Sequence, residues 1–354
     1  MKRSRDSSNS AHTGPPGYIL DAVISSGTYG IVWKGRSEID GTVVALKQIK
    51  LHVPSAVAGF PITALRELNI LMQLAKEQHP NIMRVYDMVS SSDKTGIYMV
   101  MEYLPMDLRM GLTALTTPLP TADLKCYMLQ LIAGVAAIHD HWVLHRDIKP
   151  ANILVSSDGR LALADFGMAR RYGAPLREYT ADCVSLWYRA PEMLLGCKTY
   201  GPAADMWAVG CIMLEALNLK IAFKGKSEVG QLDLIFGMLG VPTQESWPGW
   251  TRFPRAAGRG RWHPVSSDPA ALRRRLNLPA HAHLDGALSD TGLDLLLRLL
   301  AVNPTHRVTA AEARAHPWFR EAPLPISPAL ARPWPKPEPG TKAAAGQYER
   351  DDWH

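Results

Sequence analysis

The stretch VLHRDIKPANIL, residues 143–154, places Asp147 two residues before Lys149 and five before Asn152. Eighteen residues beyond Asp147 comes the triplet Asp165, Phe166 and Gly167, and Ala190, Pro191 and Glu192 then close a segment that holds Tyr179 and Thr180. Any one of these triplets could arise by chance, but their order and spacing together leave little room for a purely structural origin. Upstream, ISSGTYGIV at 24–32 sets Gly27 and Gly30 between apolar residues at strand spacing. Glycines allow a tight turn whose backbone N–H groups can approach phosphate oxygens, although a plain hairpin would use the same residues. In VVALKQIK, Lys47 follows Ala45 by two, so on a strand both face one side. The small residue leaves room for a flat ring and the lysine offers positive charge to phosphates; alone, a solvent-facing lysine on an edge strand is the better explanation.

Those groups need a frame. From residue 18 to about 100, short β-rich runs at 31–34, 43–49 and 97–100 surround one helical stretch at 61–75, which predicts a small sheet with a helix packed on it. From Thr121 onward, Leu124, Tyr127, Met128, Leu131, Val135 and Ile138 keep helical spacing, and helical segments continue to about Phe319. The expected class is α+β, with a β-rich lobe at 18–100, a hinge at 101–105 (MEYLP) and a larger helical lobe at 106–319. Residues 1–17 read as a disordered basic arm, whose KRSR is either a nuclear address or a solvated tail. The Pro-, Gly- and Arg-rich stretch 251–283 reads as a surface insertion, either a solvated loop or a binding element. The tail 320–354 is Pro-rich and should be extended, either strapping the body or serving an aromatic-lined groove.

Bulk properties bound the function. With 354 residues, 47% hydrophobic and 20% charged, the chain has globular composition and enough length for two lobes. A net charge of +6 favours anionic partners, yet lysine and arginine are spread along the chain, and no direct nucleic-acid role is expected. Cys126, Cys183, Cys197 and Cys211 form no CxxC or zinc spacing and fit a reducing compartment. The N-terminus lacks the apolar core of a secretory signal, and no apolar run of about eighteen residues predicts a membrane span.

Taken together, the motifs resemble those of the eukaryotic protein kinases over roughly residues 18–320. Ser25 departs from the first glycine of the usual loop, and Ile148 from the usual leucine after the catalytic aspartate. The resemblance implies a two-lobed protein kinase fold that uses ATP and Mg²⁺. On it, Ile24, Ser25, Ser26, Gly27, Thr28, Tyr29, Gly30, Ile31 and Val32 cover the ATP phosphates, and Lys47, beside Ala45, holds the α and β phosphates. Met101 matches the gatekeeper, and the backbones of Glu102 and Leu104 meet adenine. Asn152 and Asp165 supply oxygen ligands to Mg²⁺, Asp147 orients the substrate hydroxyl and accepts its proton, and Lys149 neutralises the transferring phosphoryl. Ser25 keeps its backbone N–H, so altered loop mobility is expected rather than lost nucleotide binding.

Within that family, GFPITALREL at 59–68 resembles the helix that cyclin-dependent kinases present to their cyclin. By that resemblance Glu67 reaches Lys47 when the helix is pushed in, while Arg66 gathers with Arg146 and Arg170 around a phosphorylated Thr180, which an activating kinase would modify. Thr28 and Tyr29 match inhibitory phosphosites or are simply loop residues. WYRAPE, with Val184 and Arg189, is similar to a groove for Ser-Pro and Thr-Pro substrates. Several stretches look closest to the PITSLRE group, which acts with L-type cyclins in transcription and RNA splicing, whereas Ala64 and KPAN resemble the elongation and cell-cycle branches. A nuclear protein is implied, with the cytoplasm as a second location and no membrane association. The other class of function is a binding module that uses the kinase fold and its Pro-rich tail to recruit partners with little catalysis.

Overall fold

A computed structural model describes residues 14–27, 30–50, 69–74, 76–91, 96–173, 185–256, 262, 268–278 and 288–335. Thr28, Tyr29, Arg66, Glu67, Thr180 and Val184 lie outside the described residues, as do most of the basic arm, part of the insertion and the tail beyond 335. The chain divides into two compact units, one of residues 1–65 and 84–103, the other of 66–83 and 104–354.

The first unit carries a five-stranded antiparallel sheet of β1 (Tyr18–Gly27), β2 (Gly30–Ser37), β3 (Val43–Lys50), β4 (Val85–Ser90) and β5 (Gly96–Glu102), in the order β1-β2-β3-β5-β4. Period-two alternation sends Val44 and Leu46 of β3 into a core with Tyr98 and Val100, which Tyr18, Leu20, Trp33 and Val89 flank. Ala45 and Lys47 therefore share the opposite face. At the β1–β2 turn Gly30 has φ +140°, and a Cβ there would collide with the Gln48 carbonyl oxygen, so the position demands glycine.

The second unit is mainly helical: α1 (Leu108–Ala114), α2 (Thr121–Asp140), α3 (Pro191–Leu194), α4 (Ala203–Asn218), α5 (Glu228–Leu239), α6 (Pro269–Arg275), α7 (Asp290–Leu299) and α8 (Ala310–Arg314). Short strands β6 (Met106–Asp107), β8 (Ile153–Val155) and β9 (Leu161–Leu163) form one sheet, while β7 (Val143–Leu144) pairs with β10 (Arg170–Arg171). The helical spacing read from the sequence is that of α2, whose Leu124, Tyr127, Met128, Leu131, Val135 and Ile138 are all buried. That helix is long and apolar enough to cross a membrane by length and composition, but its apolar residues form the core of this unit.

Two boundaries differ from the sequence expectation. The described residues between 69 and 83, expected in the β-rich lobe, belong to the helical unit: Met83 N–H donates to Leu163 O, Leu163 N–H to Asn81 O, and Asn81 Nδ2 to Leu161 O. Of the helix expected at 61–75, residues 69–74 are described and helical. The insertion, read as a loop, contains α6, because Asp268 caps it through Ala271 N–H and Pro269 opens it. Its arginines are partly structural: Arg273 is buried against Asp290 and the Leu288 carbonyl, and Arg275 Nε donates to Met238 O.

Asp107 ends β6 and caps α1 by accepting Met110 N–H at 2.7 Å. Burial pushes its carboxyl up to about 6 from an ordinary 3.8, against the Met110 hydrogen bond and the Arg109 charge, which pull it down. Folding thus favours the protonated acid; the contribution is complete below an unfolded value of about 4 and is lost as pH rises through about 6. Asp107→Asn keeps a capping oxygen, so it is expected to stabilise the protein by about 2 kcal/mol near pH 7.5 and by little near pH 4. Denaturation midpoints of both proteins at the two pH values check this, and a pH-independent gap would refute it.

Candidate active site

The loop between β7 and β8 is built from below by one buried carboxylate. Asp205, in the first turn of α4, accepts the backbone N–H of His145 and of Arg146, each at 2.9 Å, and meets His139 Nε2 at 2.9 Å. Burial alone would push Asp205 up, but His139, His145 and the Arg146 N–H hold it below the usual carboxylate range. Arg146 adopts φ +71°, a strained conformation for a side-chain-bearing residue. Asp205 takes up its N–H, while the Tyr200 hydroxyl and the Met168 carbonyl receive its guanidinium. His145 joins this loop to the next motif, with Nε2 3.0 Å from Ala164 O and its ring 4.9 Å from Phe166.

At the top of the loop Asp147 is gripped on both oxygens. Oδ2 lies 2.8 Å from Lys149 Nζ and accepts Asn152 Nδ2 at 3.0 Å, while Oδ1 accepts the Ser185 hydroxyl at 3.0 Å and its N–H at 3.3 Å. Lys149 Nζ also donates to Ser185 Oγ at 2.9 Å, so carboxylate, ammonium and hydroxyl close a triangle. Ser185 was missed by sequence reasoning. It lies 38 residues from Asp147, and its only signal is its place just before WYRAPE.

Asn152 and Asp165 are brought together by a hairpin. Ile153 pairs with Leu163, and Ala164 N–H donates to Asn152 O at 2.9 Å, which sets Asp165 one residue beyond. Asn152 Nδ2 donates to both Asp147 O and Asp147 Oδ2, leaving Oδ1 as the other polar atom of the amide. Asp165 takes the left-handed conformation, φ +58° and ψ +74°. An amide oxygen and a carboxylate on adjoining backbone fit a Mg²⁺ ion, which uses few protein oxygens and keeps several waters.

In the first unit, Ala45 pairs with Met101 and Lys47 with both Met99 and Val32. Ser25 faces Val32, Ser26 faces Ile31, and Gly27 faces Gly30 across the hairpin, while Ile24 is exposed on β1. Lys47 and Met101 are buried, and Glu102 is tied to Arg84, whose N–H its carboxylate accepts at 2.9 Å. Leu104 opens the second unit and is buried there. Of the three arginines expected to gather, Arg146 and Arg170 reach the neighbouring carbonyls of Met168 and Ala169.

After Ser185 the WYRAPE residues are held by side chains that the sequence did not single out. Trp187 Nε1 donates to Gly225 O at 3.0 Å, and Gln231 Nε2 donates to Trp187 O at 3.0 Å. Tyr188 donates its hydroxyl to Glu215 at 2.6 Å, and Arg189 binds Glu228 at 2.6 Å. Burial raises both the Tyr188 hydroxyl and the Glu215 carboxyl.

A family model for the protein kinase domain matches residues 18–319. The chain belongs to the protein kinase family. Cyclin-dependent kinase G-1 of Oryza sativa subsp. indica is 45% identical over 305 residues, which cover 86% of this chain and 42% of that protein. Cyclin-dependent kinase 11B of Rattus norvegicus is 40% identical over 312 residues, covering 88% of this chain and 68% of that one. A chain in the structure of the CAK complex from Chaetomium thermophilum bound to ATP-gamma-S matches with a TM-score of 0.76 and 36% identity, over 89% of this chain and 94% of that chain. Within the family the chain is therefore of the cyclin-dependent kinase type, as its motifs implied, although it spans less than half the length of the rice relative.

Proposed function

We propose that this protein is a cyclin-dependent serine/threonine kinase that transfers the γ-phosphoryl group of ATP to Ser-Pro and Thr-Pro sites. The observation that carries this reading is the closed arrangement of Asp147, Lys149, Asn152 and Ser185. Asp147 orients the substrate hydroxyl and accepts its proton as the oxygen attacks the γ-phosphorus. Lys149, held by Asp147 and Ser185, presents its charge to the phosphoryl oxygens. Asn152 and Asp165 would hold Mg²⁺, which when bound neutralises phosphate charge. By the family resemblance Lys47 holds the α and β phosphates, Met101 is the gatekeeper, and the backbones of Glu102 and Leu104 meet adenine. No covalent intermediate is needed, since positioning and electrostatics lower the barrier.

Cyclin partnership is supported by the kinase relatives named above and by PITALRE, with an L-type cyclin as the favoured partner because of the PITSLRE likeness. Phosphorylation of Thr180 by another kinase completes activation on this reading. The protein acts in the nucleus, in transcription and RNA processing or in cell-cycle control. The test is transfer from γ-labelled ATP to a Ser-Pro peptide and to its Ser-Ala counterpart, using the purified chain alone and the chain recovered with bound partners. Transfer by the recovered complex, at least about tenfold faster to the proline peptide, is the expected result. Equal rates on both peptides would remove the proline-directed reading, and equal activity of the bare chain would remove the cyclin requirement.

A further inference from the structure

The chain after Phe319 reads REAPLPISPALARPWP, and residues 321–335 run across the first turns of α2. At one end the strap meets Lys125, whose side chain has no exposed area. Lys125 Nζ donates to the carbonyls of Glu321 and Pro323, each at 2.9 Å, lies 4.0 Å from the Glu321 carboxylate and sits 5.3 Å from the Trp318 ring centre. A buried ammonium is costly unless it is paired and hydrogen-bonded, and here most of its partners belong to the strap. Ser289 and Thr291 hydroxyls hold the Glu321 carboxylate in turn.

Farther along, Ile326 N–H donates to Ala122 O at 3.3 Å, Arg332 N–H to Asp123 Oδ1 at 2.8 Å, and Pro328 O rests against Gly159. Within the strap Trp334 is buried, its ring 5.0 Å from that of Tyr127. The same indole fills the place of a missing side chain on α1. A Cβ at Gly111 would lie 2.5 Å from Trp334 Cε3 and 2.9 Å from Cδ2. Glycine inside a helix costs about 1 kcal/mol relative to alanine, so α1 gives up intrinsic stability at the point where Trp334 docks. Helix α1 also packs against the turn Pro150–Asn152, and Asn152 is the residue that donates to Asp147.

We infer that the strap 321–335 is a positioning element of the catalytic loop, with Trp334 acting through α1 on the turn that carries Asn152. Trp334 is a positioning residue, and the inference rests on the kinase reading for its kinetic consequence. In the full chain with its bound partner, Trp334→Ala is expected to lower kcat about ten- to a hundredfold, the scale of small misplacements at a reacting centre, with the peptide KM unchanged. Hydrogen exchange should accelerate over residues 108–114 and 150–155, and Trp334→Phe should restore most of both signals. Gly111→Ala is the second variant: it favours the isolated helix yet should reproduce the defect, because its methyl group displaces the indole.

The inference is overturned if Trp334→Ala frees residues 326–335 to exchange while kcat and exchange at 150–155 stay at the wild-type level. It is equally overturned if Gly111→Ala protects residues 108–114 with full activity. Should the wild-type complex transfer no phosphate, the kinase reading fails by itself, and the exchange measurements still decide whether the strap orders the loop.

Discussion

Asp147→Asn is expected to lower kcat about a thousandfold while nucleotide binding and the melting transition stay near wild type, within the range usual for loss of a general base. The replacement is isosteric but keeps a single acceptor oxygen, so of Asn152, which donates to Oδ2, and Ser185, which donates to Oδ1, only one retains its side-chain acceptor; Lys149 loses its ion-pair partner and no group remains to accept the substrate proton. Nucleotide affinity should survive because Asp165 and Lys47 are untouched. Ser185→Ala forms the graded companion: it removes the hydroxyl that receives Lys149 and donates to Asp147, and it is expected to cost about tenfold, with Ser185→Thr near wild type. Single-turnover transfer to a Ser-Pro peptide measures all three. An Asp147→Asn protein that retains more than about a tenth of the rate would show that this carboxylate is not the base.

The largest effect on stability is expected at Arg307, far from the reacting atoms. Its five N–H donors are all used: Nη1 and Nη2 bind the two oxygens of Glu192 at 2.8 and 2.9 Å, and the carbonyls of Ala203, Val302 and Ala301 take the other three. Its plane also lies over Trp207, 5.2 Å from the ring centre. Arg307→Leu would leave the Glu192 carboxylate buried without its partner, and breaking such a pair costs about 3–5 kcal/mol. A domain's total stability is about 5–15 kcal/mol, so the helical unit should unfold at a much lower urea concentration. Arg307→Lys should rescue little, because a lysine cannot reproduce the planar fork. The double replacement Glu192→Leu with Arg307→Leu should recover part of the loss, since no charge then remains buried. Urea midpoints of the helical unit's transition decide it, and a single variant within about 1 kcal/mol of wild type would contradict the prediction.

Both predictions concern groups that differ in how far they can be read from a linear chain. Asp147, Lys149 and Asn152 were legible because they fall within one loop, where a fixed spacing is itself a geometric statement. Glu192 was legible only as the end of APE; its partner is 115 residues away, and nothing in the residues near Arg307 reports a buried carboxylate. Ser185 was invisible for the same reason. The α6 helix was masked by composition: proline and arginine suggested a loop, whereas Asp268 at the cap, Pro269 in the first turn and Arg273 turned inward onto the Leu288 carbonyl made a helix. The described residues between 69 and 83 were assigned by proximity in sequence to the strands, but backbone bonds between Asn81, Met83 and Leu163 tie them to the helical unit.

By itself the sequence determined the kinase motifs, their order, the α2 core stripe and the strand alternation that puts Ala45 and Lys47 on one face. These are local periodicities and spacings, set by strand and helix geometry over a few residues. Only the tertiary structure decided that Asp205 holds His145 and Arg146 from below, that Ser185 closes the group around Asp147, and that residues 321–335 strap α2 with Trp334 set against Gly111. Those decisions belong to the fold because each joins residues tens to hundreds of positions apart. The hydrogen-bonding needs of a buried charge, or the space beside a glycine, become visible only when the chain has brought the other partner to it.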